Sequence, residues 1–167
     1  MSVAEQKHPE LSDTVCRQID TWVAKYPADR KQSAVISALT IVQDENHGYL
    51  TQKLMDAVAD YLDMPKIAVY EVATFYSMFF LEPVGRHKIS VCNNIACMLC
   101  GGNEILDHVM KKLGIKTGET TADGKFTIVK EEECLAACAG GPMMIIDGHY
   151  YEHLTPEKVD AILDGLE

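Results

Sequence analysis

A chain of 167 residues, 47% of them hydrophobic, can bury a real core as one domain or two small ones. Its 25 acidic residues against 15 basic ones give a formal charge of −10, which argues against nucleic-acid binding, since that needs a basic face. There is no run of about 18 apolar residues, and Met1 to Asp13 lacks both an apolar core and arginines, so no membrane insertion and no leader are expected. These features point to a soluble protein kept in the cytoplasm.

In chain order, the first half is helical. Val15, Ile19, Trp22, Val23 and Tyr26 recur on one helix face, with Ser12 or Asp13 to cap it and Pro27 to end it. Val35, Ala38, Leu39 and Val42 form a second stripe that ends near His47-Gly48, and Leu54, Val58, Tyr61 and Leu62 form a third. Pro65 suits the first turn of a fourth helix carrying Val69, Val72, Ala73 and Tyr76. The aromatics and methionines of this half are expected in its core.

Glu82-Pro83-Val84-Gly85 breaks the pattern. Lys88 to Cys92 then alternates as a strand, and Asn103 to Leu113 is a helix stopped by Gly114. A polar loop from Lys116 to Lys125 leads to a strand over Phe126 to Val129. Met143 to Ile146 and His149 to Tyr151 flank Asp147-Gly148, a two-residue hairpin signal. Thr155-Pro156-Glu157 opens a last helix whose buried stripe is Val159, Ile162, Leu163 and Leu166. A strand–helix–strand crossover followed by a hairpin and a helix is the order of a thioredoxin-like core. The fold class is therefore α+β, a helical bundle over 11–80 after a flexible N-terminus at 1–10, then a βαβ-ββα domain over 81–167.

Five of the six cysteines lie in the second half, as Cys92-x4-Cys97-x2-Cys100 and Cys134-x3-Cys138. In a reducing cytoplasm such clusters are ligands or redox groups more often than disulfides. Their spacing admits three groupings. Cys97 and Cys100 could be a dithiol pair of a thioredoxin-like oxidoreductase, with Pro142 where thioredoxins keep a cis proline. Cys92, Cys97, Cys100 and Cys134 would match plant-type ferredoxin spacing. Cys92 with Cys97 and Cys134 with Cys138 would make two pairs on two loops, suited to zinc or to an iron–sulfur cluster. Gly140-Gly141 would either let backbone N–H groups approach such a cluster or merely shape the turn before Pro142.

Four collinear segments carry a resemblance: Val72-Ala73-Thr74-Phe75-Tyr76, Cys92 through Leu99, Gly118 through Gly124, and Glu133 through Cys138. Together they resemble the thioredoxin-like 2Fe-2S subunit of respiratory NADH:quinone oxidoreductase, from roughly Leu11 to the C-terminus. The resemblance implies one 2Fe-2S cluster held by Cys92, Cys97, Cys134 and Cys138, with Cys100 at a position the family does not use as a ligand. It implies a one-electron carrier of low reduction potential with no catalytic site in the isolated chain. FMN and NADH are expected only in a partner, the flavin- and NADH-binding subunit, beside further iron–sulfur subunits. The assembly would be peripheral to the bacterial inner membrane. The equivalent subunit of an NAD-linked formate dehydrogenase or hydrogenase is a close variant, and a zinc-stapled interaction module a more distant one.

The remaining polar residues are given ordinary roles. Cys16 is expected as a small buried hydrophobe on the first helix. His8, His47, His87, His108, His149 and His153 lack metal-ligand spacing and are expected as surface or structural residues. The run Glu131-Glu132-Glu133 is expected as a solvated edge.

Overall fold

The structure is a computed structural model in which residues 10–130 and 134–167 are described, so the acidic run 131–133, His8 and most of the N-terminal segment lie outside the described residues. The chain divides into two compact units, the first ending at Pro83 and the second starting at Val84.

The first unit contains helices α1 (Asp13–Val23), α2 (Val35–Glu45), α3 (Gln52–Tyr61) and α4 (Lys66–Phe75), with a 3₁₀ segment at Ala28–Ala34. Local chemistry starts and stops them. Ser12 accepts the Val15 N–H at 3.2 Å and Thr51 accepts that of Leu54 at 3.3 Å, each satisfying an orphan donor of the first turn. His47 and Gly48 both take positive φ after α2, and the Gly48 N–H returns to the Gln43 carbonyl. Helix α1 stops at Val23, before Pro27, and Pro65 caps α4 from outside rather than entering its first turn. Ile19, Leu39, Val42, Leu50, Val58, Leu62 and Val69 fill the core.

The aromatic expectation needs correction. Trp22, Tyr26 and Tyr76 are exposed, as are Phe75 at 80% and Met78 at 52%. Trp22 lies under the Lys25 ammonium, 3.4 Å from the ring centroid, and Tyr26 and Tyr76 fall beyond the ends of their helices, where the core stripe no longer dictates burial. Cys16 is half-buried against the core, and burial with Asp20 nearby pushes its thiol up.

The second unit is a four-stranded sheet in the order β2-β1-β3-β4, from β1 (His87–Val91), β2 (Phe126–Ile128), β3 (Met144–Ile146) and β4 (His149–Tyr151). The β1–β2 pair is parallel, bridged by α5 (Ile95–Leu99) and α6 (Gly102–Leu113), while β1–β3 and β3–β4 are antiparallel. Asp147 and Gly148 both have positive φ, as a tight hairpin turn requires. Thr155 caps α7 (Pro156–Gly165) with Pro156 at its first position. Ile89, Val91, Ile105, Val109, Ile128, Met144, Ile146, Val159 and Leu163 form the core. His108 joins α6 to α7 through Asp160 at 2.8 Å, and that hydrogen bond is the main reason the Asp160 carboxyl sits below its usual range. His87 bonds Asp147 at 2.6 Å, so two histidines are structural, while His47, His149 and His153 are exposed.

Candidate functional site

The four cysteines of the third grouping come from two places in the second unit. Cys92 directly follows β1, and its N–H donates to the Met143 carbonyl at 3.1 Å, prolonging the β1–β3 ladder by one step. Cys97 is the third residue of α5, a five-residue helix absent from the sequence expectation and capped by Asn94, whose side chain accepts the Ile95 N–H. One turn of helix folds the chain back, so that Cys97 meets the Cys92 thiol and accepts a hydrogen bond from the Met143 backbone. Both sulfur-bearing residues are 1% exposed.

Cys134 and Cys138 lie on the connection between β2 and β3, where a thioredoxin's middle helix would run; only a 3₁₀ turn at Cys138–Gly140 is helical there. Ala136, at φ 60°, bends the chain between them into the left-handed region. Their Sγ atoms are 3.9 Å apart, and both residues are exposed. Two thiolates on one tetrahedral metal with bonds of about 2.3 Å stand about 3.8 Å apart, so this pair already has the bite of one metal's ligands. Gly141 and Pro142, joined by a cis peptide, follow at once.

The two pairs feel each other. Burial, then the Cys92 thiol, push the Cys97 thiol up to about 11, and Cys138 adds to the shift. Cys138 is raised chiefly by Cys134, with a contribution from Cys92. Crowded thiols resist carrying negative charge together, and cationic iron would relieve that resistance. Among the described residues no set of three or more ligand-type side chains surrounds one point, so the arrangement is two pairs rather than one four-sulfur cage.

Both rival groupings use Cys100. Cys100 lies just past the end of α5, exposed, its N–H spent on the Cys97 carbonyl at 3.0 Å. A nucleophilic Cys97 would need a lowered pKa and access, and it has neither. The Gly140 N–H donates to the Ala137 carbonyl and that of Gly141 to Cys138, so these glycines shape the turn. The donor missed by sequence reasoning is Met143, whose backbone serves Cys97 and Cys92 at once. Its position beside a proline and opposite β1 was visible in the sequence, but main-chain groups leave no residue-type signal.

The sequence profile of the thioredoxin-like [2Fe-2S] ferredoxin family matches residues 19–167. Curated relatives include the E subunit of NADH-quinone oxidoreductase from Rickettsia bellii (strain RML369-C), 46% identical over 144 residues, covering 86% of each chain. The second E subunit of NADH-quinone oxidoreductase from Rhizobium meliloti (strain 1021) is 42% identical over 153 residues, covering 92% of this chain and 89% of that one. Among solved structures, the air-oxidised NAD⁺-reducing [NiFe]-hydrogenase shares the fold, with a TM-score of 0.65 at 20% identity; the match covers 78% of this chain and 22% of the hydrogenase chain.

Proposed function

We propose that this chain, which belongs to the thioredoxin-like [2Fe-2S] ferredoxin family, is the E subunit of an NADH-quinone oxidoreductase and holds its cluster through Cys92, Cys97, Cys134 and Cys138. The observation that supports the ligand set is two thiol pairs close enough to raise one another's pKa, one of them with the 3.9 Å bite of a single metal's ligands. When bound, the cluster takes up one electron and returns it. Around it the chain supplies burial and hydrogen bonding. Cys92 and Cys97 keep water from one side, and the Met143 N–H offsets negative charge on the Cys97 sulfur, which favours reduction.

The flavin- and NADH-binding subunit is the partner this reading requires, with further iron–sulfur subunits beside it. Residues 89–103 and 134–146 carry no charged side chain, although the chain as a whole is at −10. Ile95 and Leu99 on α5 are 68% and 77% exposed, beside the buried Cys97. Such an apolar, uncharged rim suits a lasting subunit contact better than a salt-steered encounter. Attachment to the membrane would be through the complex, since among the described residues no helix is long and apolar enough to cross a bilayer.

Two measurements test this. Anaerobically reconstituted protein is expected to contain iron and acid-labile sulfide in equal amounts and to give a rhombic EPR signal on reduction; a chain that takes up one zinc and no sulfide refutes the cluster. Leu99→Glu is expected to retain the cluster and to bind the flavin-containing subunit about tenfold more weakly, because a carboxylate must then be buried in an apolar contact. Unchanged affinity by titration calorimetry would remove α5 from the interface.

A further inference from the structure

Gly101 and Gly102 stand side by side between α5 and α6 for different reasons. Gly101 has φ 93°, in the left-handed region that favours glycine, and a Cβ there would have room, its nearest neighbour being the Glu104 carboxylate at 3.6 Å. Gly102 opens α6 without that left-handed backbone. Yet a Cβ on Gly102 would lie 2.8 Å from the Cys92 carbonyl oxygen, 2.9 Å from that of Cys97 and 3.0 Å from the Cys97 carbonyl carbon. These neighbours are main chain, so relief would require whole segments to shift, and both segments carry proposed ligands.

Gly141 repeats the pattern from another side. Its φ of −65° is open to any residue, but a Cβ there would stand 3.3 Å from the Cys97 sulfur and 3.6 Å from the Cys138 carbonyl oxygen. Neighbouring Gly140 differs, because its Cβ would meet the movable end of Glu152. Gly165 has nothing within 4 Å. Gly102 and Gly141 are thus glycines for space, and both spaces border Cys97: Gly102 faces its carbonyl together with that of Cys92, and Gly141 faces its sulfur.

We propose that Gly102 and Gly141 are positioning residues for the redox centre: without side chains, they let the start of α6 and the turn before Pro142 close on Cys97. That closure fixes how far Cys97 stands from Cys92 and from Cys138. The inference rests on the four-cysteine ligand reading above.

The test uses the full chain, reconstituted anaerobically with ferrous iron and sulfide, as parent, Gly102→Ala, Gly141→Ala and Gly165→Ala. Iron and sulfide per chain, the EPR g-values of the reduced protein and the rate of cluster loss in air are measured. Circular dichroism and the thermal unfolding of the metal-free chain report folding. Gly165→Ala should match the parent throughout. Gly141→Ala should keep the parental unfolding temperature, yet shift the g-values and lose its cluster about tenfold faster, the scale of losing an outer-shell partner. Gly102→Ala should do the same or more. Should Gly102→Ala fail to fold, Gly141→Ala decides alone; parental g-values and retention in it overturn the proposal. A parent chain that assembles no cluster refutes the ligand reading and this inference with it, whereas a loaded parent beside an indistinguishable Gly141→Ala refutes only the positioning role.

Discussion

Cys138→Ser is expected to abolish the cluster, while Cys100→Ser leaves it at parental content. The contrast is sharp because both thiols are exposed and only 38 positions apart, and only their surroundings separate them. Cys138 has a sulfur partner at 3.9 Å, and the fields of Cys134 and Cys92 act on it. Cys100 has its backbone turned into the end of α5 and, among the described residues, no side-chain partner. Serine in place of Cys138 offers iron a harder, more reluctantly deprotonated donor and breaks one of the two bites. Losing a direct ligand should exceed the 10–100-fold penalty of losing an outer-shell partner, so iron per chain should fall to about a tenth or less. Iron and sulfide assay after identical reconstitution measures it. A colourless Cys100→Ser beside a coloured Cys138→Ser would instead restore the plant-type set of Cys92, Cys97, Cys100 and Cys134.

Gln43→Leu should destabilise the helical unit by about 2–4 kcal/mol, since among the described residues of that unit it is the buried polar side chain. Gln43 is 7% exposed on α2. Its amide donates to the Met78 carbonyl at 3.1 Å and accepts the Phe80 N–H at 2.8 Å. The Leu50 N–H completes the clasp on the Phe80 carbonyl at 2.7 Å. Leucine fills the same space but leaves a carbonyl and an N–H without partners in a part-buried place, each at about 1–3 kcal/mol. Phe79, turned inward beside them, would lose the backbone that holds it in the core. Urea unfolding followed by the fluorescence of Trp22, the single tryptophan and a residue of α1, reports on this unit. A midpoint unchanged within error would mean that Gln43 is only a spectator of the exit from α4.

What could be read from the residues was local chemistry with one partner nearby. Ser12, Thr155-Pro156, Gly114 and Asp147-Gly148 each set a boundary through a cap or a turn within four residues, and each did so where expected. The strand–helix–strand order followed from alternating periods in the same way. Helix α5 escaped because five residues cannot display a 3.6-residue period. Gln43 escaped because nothing in its neighbourhood in sequence announces Met78 and Phe80, 35 and 37 positions on. Trp22 and Tyr26 misled because spacing gives the face of a helix but not how far along it the core extends. For the cysteines, spacing left three sets open and family likeness chose among them, whereas burial of Cys97 and the 3.9 Å approach of Cys134 to Cys138 are properties of the folded chain alone.

Each sulfur pair is a local clip, five residues apart in one case and four in the other, and so costs little chain entropy to close. The long-range step is the pairing of β1 with β3, where Val91 faces Met144 and the Cys92 N–H meets the Met143 carbonyl. A cluster held by all four cysteines would bridge that seam, so loading should slow amide exchange along β1 and β3 relative to the metal-free chain.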